Sequence, residues 1–182
     1  MSLPYIFELF TTTGAVLLII LTGIVFLASY SQNADLKKFA NFFIKNSVFF
    51  IATASFVAIV GSLVYSELFK FEPCTLCWWQ RVFIYPIFFI VLVALIKKEK
   101  NPFQYINPLI WISLLFSLYH NYLIASANST NTFLCDPATT GTCSDRYVEV
   151  LSVVDIPFMA LSVILFILML SFVSLKHFRK NN

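Results

Sequence analysis

Long apolar runs alternate with short charged segments along the whole chain, and the charges mark where each run must end. Residues 9–34 carry no Asp, Glu, Lys or Arg. A hydrocarbon crossing needs about 20 mostly apolar residues, so a first helix is expected over roughly Phe10–Tyr30. The charge-free run between Lys45 and Glu67 predicts a second helix near Val48–Tyr65, and the run from Asn101 to Cys135 predicts a fourth near Ile106–Ala125. A fifth is expected from about Asp155 to Ser174. The stretch between Arg81 and Lys97 is too short to cross alone. The third helix must therefore begin near Cys77 and carry Arg81 in its first turn or two, which places a cation just inside the membrane.

Composition agrees with this pattern. The chain of 182 residues is 59% hydrophobic and 12% charged, with a mean hydropathy of +0.84, outside the range of ordinary soluble domains. The fold class is all-α and integral to a lipid bilayer, and the spans leave no room for a separate soluble domain. Lys37, Lys38 and Lys45 fall in one connecting segment, Lys97, Lys98 and Lys100 in a second, and Lys176, Arg179 and Lys180 at the C-terminus. The alternate segments hold mainly Glu8, Glu67, Glu72, Asp136, Asp145 and Glu149. By the positive-inside bias the N-terminus is outside and the C-terminus cytoplasmic. The first helix reads as retained rather than as a cleaved signal, because no basic residue precedes it and its apolar run is too long. Topology accounts for the basic residues, so no nucleic-acid partner is expected. Internal repeats and phosphate-binding glycine motifs are absent.

The four cysteines carry the candidate chemistry. Cys74-Thr75-Leu76-Cys77 sits where an acidic segment, ending at Pro73, enters the third helix, and Arg81 follows Cys77 at the i+4 spacing of one helix face. A helix N-terminus and a neighbouring cation both favour the thiolate, and both are available to Cys77. The plain alternative for Arg81 is an interfacial residue that snorkels to the headgroups. The later pair, Cys135 and Cys143, lies in a short polar stretch with Pro137 and Gly141, suited to closing a loop or to exchange with a partner. Residues Ser144–Val154 are compatible with a short amphipathic helix on the membrane surface. Two readings of the cysteines stand at this point. They form redox-active or structural disulfides on the oxidising side of a membrane, or the four together hold zinc.

The run Glu72-Pro73-Cys74-Thr75-Leu76-Cys77-Trp78-Trp79-Gln80-Arg81, then Cys135, then Cys143-Ser144-Asp145-Arg146-Tyr147 before Asp155-Ile156-Pro157-Phe158, resembles the DsbB disulfide-bond-formation proteins, especially their BdbC-like branch. The resemblance covers roughly residues 48–174. It implies a four-helix transmembrane bundle in a bacterial cytoplasmic membrane, here with an additional N-terminal transmembrane helix. Residues 1–46 would be that helix and a cytoplasmic linker, and residues 47–182 the redox domain with its outer cysteine loop at 126–153. It further implies a quinone-dependent thiol oxidase, with redox-active disulfides Cys74–Cys77 and Cys135–Cys143. Such a protein takes electrons from a DsbA-like thioredoxin-fold thiol oxidase and passes them to ubiquinone or menaquinone in the membrane pool. Carried over by position, Cys135 receives the partner, Cys143 passes electrons to Cys74, and Cys77 faces the quinone beside Arg81. The first helix lies outside the family core, and the two loop cysteines are closer together than in many members. Vitamin K epoxide reductases share the chemistry but place the loop pair before the membrane CxxC. The competing class is a non-catalytic scaffold or metal-binding protein with structural disulfides.

Three other features draw on the same spans. His120, near the end of the fourth helix, either contacts a quinone oxygen or sits at the interface beside Tyr119 and Tyr122. Trp78 and Trp79 fit an aromatic belt. Pro157 suits the first turn of the last helix, whereas Pro86 is expected to kink the third.

Overall fold

The computed structural model describes residues 3–99, 101–126 and 155–181, and among them every regular element is helical. Helix α1 spans Leu3–Tyr30, α2 Ala34–Lys45, α3 Ser47–Leu63, α4 Thr75–Lys97, α5 Phe103–Ser126 and α6 Ile156–Asn181. A π turn, Val64–Leu68, extends α3. Five of these stretches are long and apolar enough to cross a membrane, the exception being α2. Each of α3, α4 and α5 packs on its successor and α6 returns to α3, which closes a four-helix bundle; α1 lies outside it, against α6 and α2. The all-α membrane bundle with an additional N-terminal helix is therefore the fold.

Helix α6 is the axis of the assembly. Half of its apolar window is buried inside the protein, against 17% for α1, and Ile164, Ile167 and Leu170 are fully enclosed. Phe10, Leu27, Ile96 and Leu115 point outward, a surface that in water would be an aggregation patch and in lipid is simply solvated. Because lipid is as apolar as leucine, apolar burial does little to hold these helices together, and close packing and polar ties between them take its place. Ser55, Ser113, Ser117, Ser162, Ser171 and Ser174 are all buried. Ser171 Oγ donates to Asn107 Oδ1 at 2.6 Å, joining α6 to α5, and Asn121 Nδ2 donates to the Pro157 carbonyl at 3.1 Å. At the end of the bundle away from Cys74, Lys176 Nζ donates to Tyr30 Oη at 3.0 Å and ties α6 to α1.

The helices overrun the ranges set by charge, since a charge marks the edge of the hydrocarbon rather than the end of hydrogen bonding. Helix α1 begins at Leu3 and takes in Glu8, and α5 begins at Phe103. The larger difference is at residues 31–46, read from sequence as a linker, which contain α2. Asn33 precedes it in extended geometry, Asp35 lies in its first turn and Lys45 in its last, matching the helix dipole at both ends. Ala40, Phe43 and Ile44 form its buried face, and Phe43 stacks on Phe50 of α3 with centroids 4.6 Å apart.

Candidate active site

The first turn of α4 builds the site. Pro73 cannot continue a helix backward and holds its predecessor extended, and Cys74 (φ −65°, ψ 166°) is the N-cap. Its sulfur accepts the Cys77 backbone N–H at 3.4 Å, the bond that Ser, Thr or Asp usually supplies at this position. The capping geometry turns both side chains to one face, and the two Sγ atoms lie 3.1 Å apart. Leu76, between them, is fully buried against Leu123 of α5 and anchors the turn.

The surroundings of the pair differ from one sulfur to the other. His120 of α5 is buried, with Nε2 3.6 Å from Cys74 Sγ and Nδ1 3.4 Å from Gln80 Nε2. With the Gln80 amide donating to Nδ1, the ring proton sits on Nε2 and points at Cys74. The Cys74 thiol is held below the ordinary thiol range, first by its hydrogen bond with the Cys77 thiol and then by His120, against the opposing effect of burial. Sequence reasoning gave the benefit of the helix N-terminus to Cys77, but the structure makes Cys74 the cap and the nearer sulfur to the imidazole. His120 is buried beside Cys74, whereas its neighbour Tyr122 is exposed.

Arg81 is one turn below Cys77. Nη2 donates to the Ser62 carbonyl of α3 at 2.9 Å, and the guanidinium lies 5.3 Å from the Trp78 ring centroid. Ser62 lies two residues before the π turn, a local widening of the ladder frequent at functional sites. Arg81 is thus tied to a neighbouring helix. Trp78 and Trp79 are about half exposed, as expected of a belt, and Trp79 stacks on Phe116 with centroids 5.4 Å apart.

Below the pair opens a cavity of about 600 Å³. Cys74, Cys77, Gln80, Arg81 and His120 form its polar end with Asp155, and α1, α3 and α6 form its apolar sides. Gln80 was missed from sequence. Its signal was a polar side chain within an apolar span, three residues from Cys77 and so on the same face. Cys135 and Cys143, the loop at 126–153 and the surface helix expected there fall outside the described residues. The four-cysteine zinc site rests on that pair too. Among the described residues, Cys74, Cys77 and His120 place one ligand atom each within 4.8 Å of one another, a set that zinc would accept.

A membrane helical bundle with a capped cysteine pair at the mouth of an apolar cavity defines a class of membrane thiol–disulfide proteins. The chain belongs to the DsbB family: the profile described as "Disulfide bond formation protein DsbB" matches residues 45–175. It is similar to "Probable disulfide formation protein C 1" of Bacillus anthracis, 39% identical over 126 residues that cover 68% of this chain and 88% of that one. It is also similar to "SPbeta prophage-derived disulfide bond formation protein B" of Bacillus subtilis (strain 168), 36% identical over 118 residues, 65% and 78% of the two chains. "Disulfide bond formation protein C" of the same strain is 33% identical over 135 residues, 72% of this chain and 94% of that protein. No solved structure gives a significant match. Helix α1 and all but the last residue of α2 precede the family match.

Proposed function

We propose that this protein is a quinone-dependent thiol oxidase of the bacterial cytoplasmic membrane, which reoxidises a DsbA-like thioredoxin-fold partner. The observation that carries the reading is the Cys74–Cys77 pair at the polar end of an apolar cavity shared with Arg81 and His120. The orientation proposed has the N-terminus and both cysteine pairs outside. Its support is that Lys45, Lys97, Lys98 and Lys176 all fall at helix ends away from Cys74. Residues 47–182 form the redox unit of this scheme, with residues 1–46 added before it.

The relay runs by disulfide exchange. A thiolate of the reduced partner attacks Cys135 of the Cys135–Cys143 disulfide, forming a mixed disulfide and releasing Cys143 as thiolate. The partner's second thiol then breaks the mixed disulfide and leaves oxidised, so the loop pair holds two electrons. Cys143 attacks Cys74 of the Cys74–Cys77 disulfide, Cys77 is released as thiolate, and Cys135 then attacks Cys143, re-forming the loop disulfide and leaving Cys74 and Cys77 reduced. The Nε2–H of His120 stabilises charge on Cys74, and Arg81 holds a fixed positive charge one turn from Cys77. A quinone held there would supply the electron sink for two electrons and two protons. The cavity suits it, with hydrogen-bond donors at one end and apolar walls for a prenyl chain beyond. Loss of the two electrons re-forms Cys74–Cys77.

The test is purified protein assayed both for quinone reduction driven by a reduced thioredoxin-fold oxidase and for bound zinc. Thiol-dependent quinone reduction supports the assignment. Zinc near one equivalent with no quinone reduction overturns it in favour of a metal-binding protein built on Cys74, Cys77 and His120.

A further inference from the structure

Helix α1 lies outside the family match, yet it forms one side of the cavity at the cysteine pair. Thr11, Gly14, Ala15, Leu18 and Leu21 all line it, and their spacing of three or four residues is that of a single helix face. Helix α1 rests on α6 and α2 rather than along α3, so the space between α1 and α3 is the cavity itself. The two helices meet at its polar end, where Thr11 Oγ1 and Tyr65 Oη are 2.6 Å apart and Phe7 packs edge-on against Tyr65 and Phe69. The other end is floored by Phe43 of α2 stacked on Phe50.

The two helices run in opposite directions, so counting one turn from the Thr11–Tyr65 contact sets Gly14 opposite Gly61 and Ser62. That is the level at which Arg81 reaches the Ser62 carbonyl. A side chain begun at Gly14 or at Gly61 would meet no atom within 4 Å. One turn further, Leu18 faces Ala58, and the walls carry no charge from there to the floor. The passage is therefore pinched above by a hydrogen bond, kept open by two glycines at the polar level, and apolar below.

We propose that α1 supplies a wall of the electron-acceptor site, with Gly14 keeping open the passage through which the acceptor's prenyl chain runs between α1 and α3. This rests on the quinone reading above. The occupant is a prenyl chain because the passage is continuous with the polar end that would hold the quinone ring, and because its walls beyond that end are uncharged and mainly apolar. A helix outside the family match thereby becomes a determinant of which acceptor binds.

The experiment measures binding directly. Ubiquinone and menaquinone analogues with a diazirine on the prenyl chain are photolysed with the unmodified protein, and labelled peptides are mapped. In parallel, quinone affinity is read by tryptophan quenching for wild type, Gly14→Leu and Gly23→Leu. Gly23 is on the same helix, equally free of neighbours and away from the cavity. Expected are label on the 10–21 segment that excess quinone competes away, affinity lowered about tenfold or more by Gly14→Leu, and no loss for Gly23→Leu. Quinone binding by wild type with no label on α1 and affinity unchanged by Gly14→Leu overturns the proposal while leaving the quinone reading intact. Label that quinone does not displace makes the occupant a lipid chain and also overturns it. Failure of wild type to bind or reduce either quinone removes the reading on which the proposal stands.

Discussion

Replacing Gln80 with leucine tests whether the imidazole at Cys74 is set by a residue that touches neither sulfur. In the wild type the Gln80 amide occupies His120 Nδ1 and leaves the Nε2 proton to face Cys74. Leucine removes the donor, and burial of His120 gives Nδ1 no water to replace it. An orphaned buried polar group costs about 1–3 kcal/mol, and the ring can avoid that penalty by moving its proton to Nδ1, where it can seek a backbone acceptor. The Nε2 lone pair then faces the sulfur, and a hydrogen bond to a charged group, about 1.5–3 kcal/mol, is lost. Because the Cys74 thiol is held low in the folded protein, losing a stabiliser of its thiolate must move its titration upward. At a pH between the two titrations the wild type is thiolate and the variant thiol. The assay is ultraviolet thiolate absorbance of the reduced Cys74–Cys77 pair, with Cys135 and Cys143 changed to serine, for wild type, Gln80→Leu, His120→Leu and the double variant. Both single variants should titrate higher and the double variant no higher than His120→Leu, since Gln80 acts only through the ring. An unchanged titration in Gln80→Leu beside a raised one in His120→Leu would refute the tautomer argument.

Arg81→Ala should raise the KM for quinone about tenfold or more by removing a cation fixed beside the pair, while exchange between the partner and Cys135 stays near the wild-type rate. Arg81→Lys should fall between, since it keeps the charge and loses the guanidinium fork on Ser62; unchanged quinone kinetics in both would return Arg81 to a purely structural role. Cys143→Ser should accumulate a mixed disulfide between Cys135 and a partner lacking its own resolving cysteine, formed when the Cys135 thiolate opens Cys74–Cys77 and the partner's thiolate then attacks Cys135 and displaces Cys74 as thiolate, seen on non-reducing gels and mapped by mass; an adduct through Cys77 with Cys135 dispensable would reverse the order of the relay. Membrane-impermeant labelling of intact cells should reach a cysteine placed at Thr139 and not one at Lys98, and the opposite result would put both pairs on the reducing side. Asn107→Leu should lower resistance to thermal aggregation in detergent by removing the acceptor of Ser171 Oγ, a loss of about 0.6–2 kcal/mol; no change would mean that the α5–α6 contact is held by packing alone.

The spans were legible because charge is scarce in this chain, and each cluster of it must lie near a membrane surface. The start of α4 at the cysteine pair was legible for a local reason, as Pro73 ends the preceding segment without help from distant chain, but which of the two cysteines caps the helix was not. Helix α2 was not, because only Ala40, Phe43 and Ile44 are buried and its first half is exposed and carries Asp35, Lys37 and Lys38. Its stability as a helix depends on Phe50 and α6, which no window around residues 34–45 contains. His120 was ambiguous for a similar reason. The tyrosines at 119 and 122 suit an interface, and only the rotation of α5 against α4 decides that position 120 faces the cysteines.

Thr11 and Tyr65 show how far this limit reaches. They are 54 residues apart, and each has an ordinary explanation alone, a threonine bonding to its own helix at Phe7 and a tyrosine near a membrane surface. Their meeting depends on α1 being held against α6, which follows from packing along α6 and from the Lys176–Tyr30 tie at the far end. A helix docked at both ends but not along α3 leaves a gap between them, and glycines at 14 and 61 put no side chain into it. Residues with no chemistry of their own thereby set the shape of the space into which the cysteines face. Changes at those positions should therefore alter acceptor binding while leaving disulfide exchange at the loop untouched.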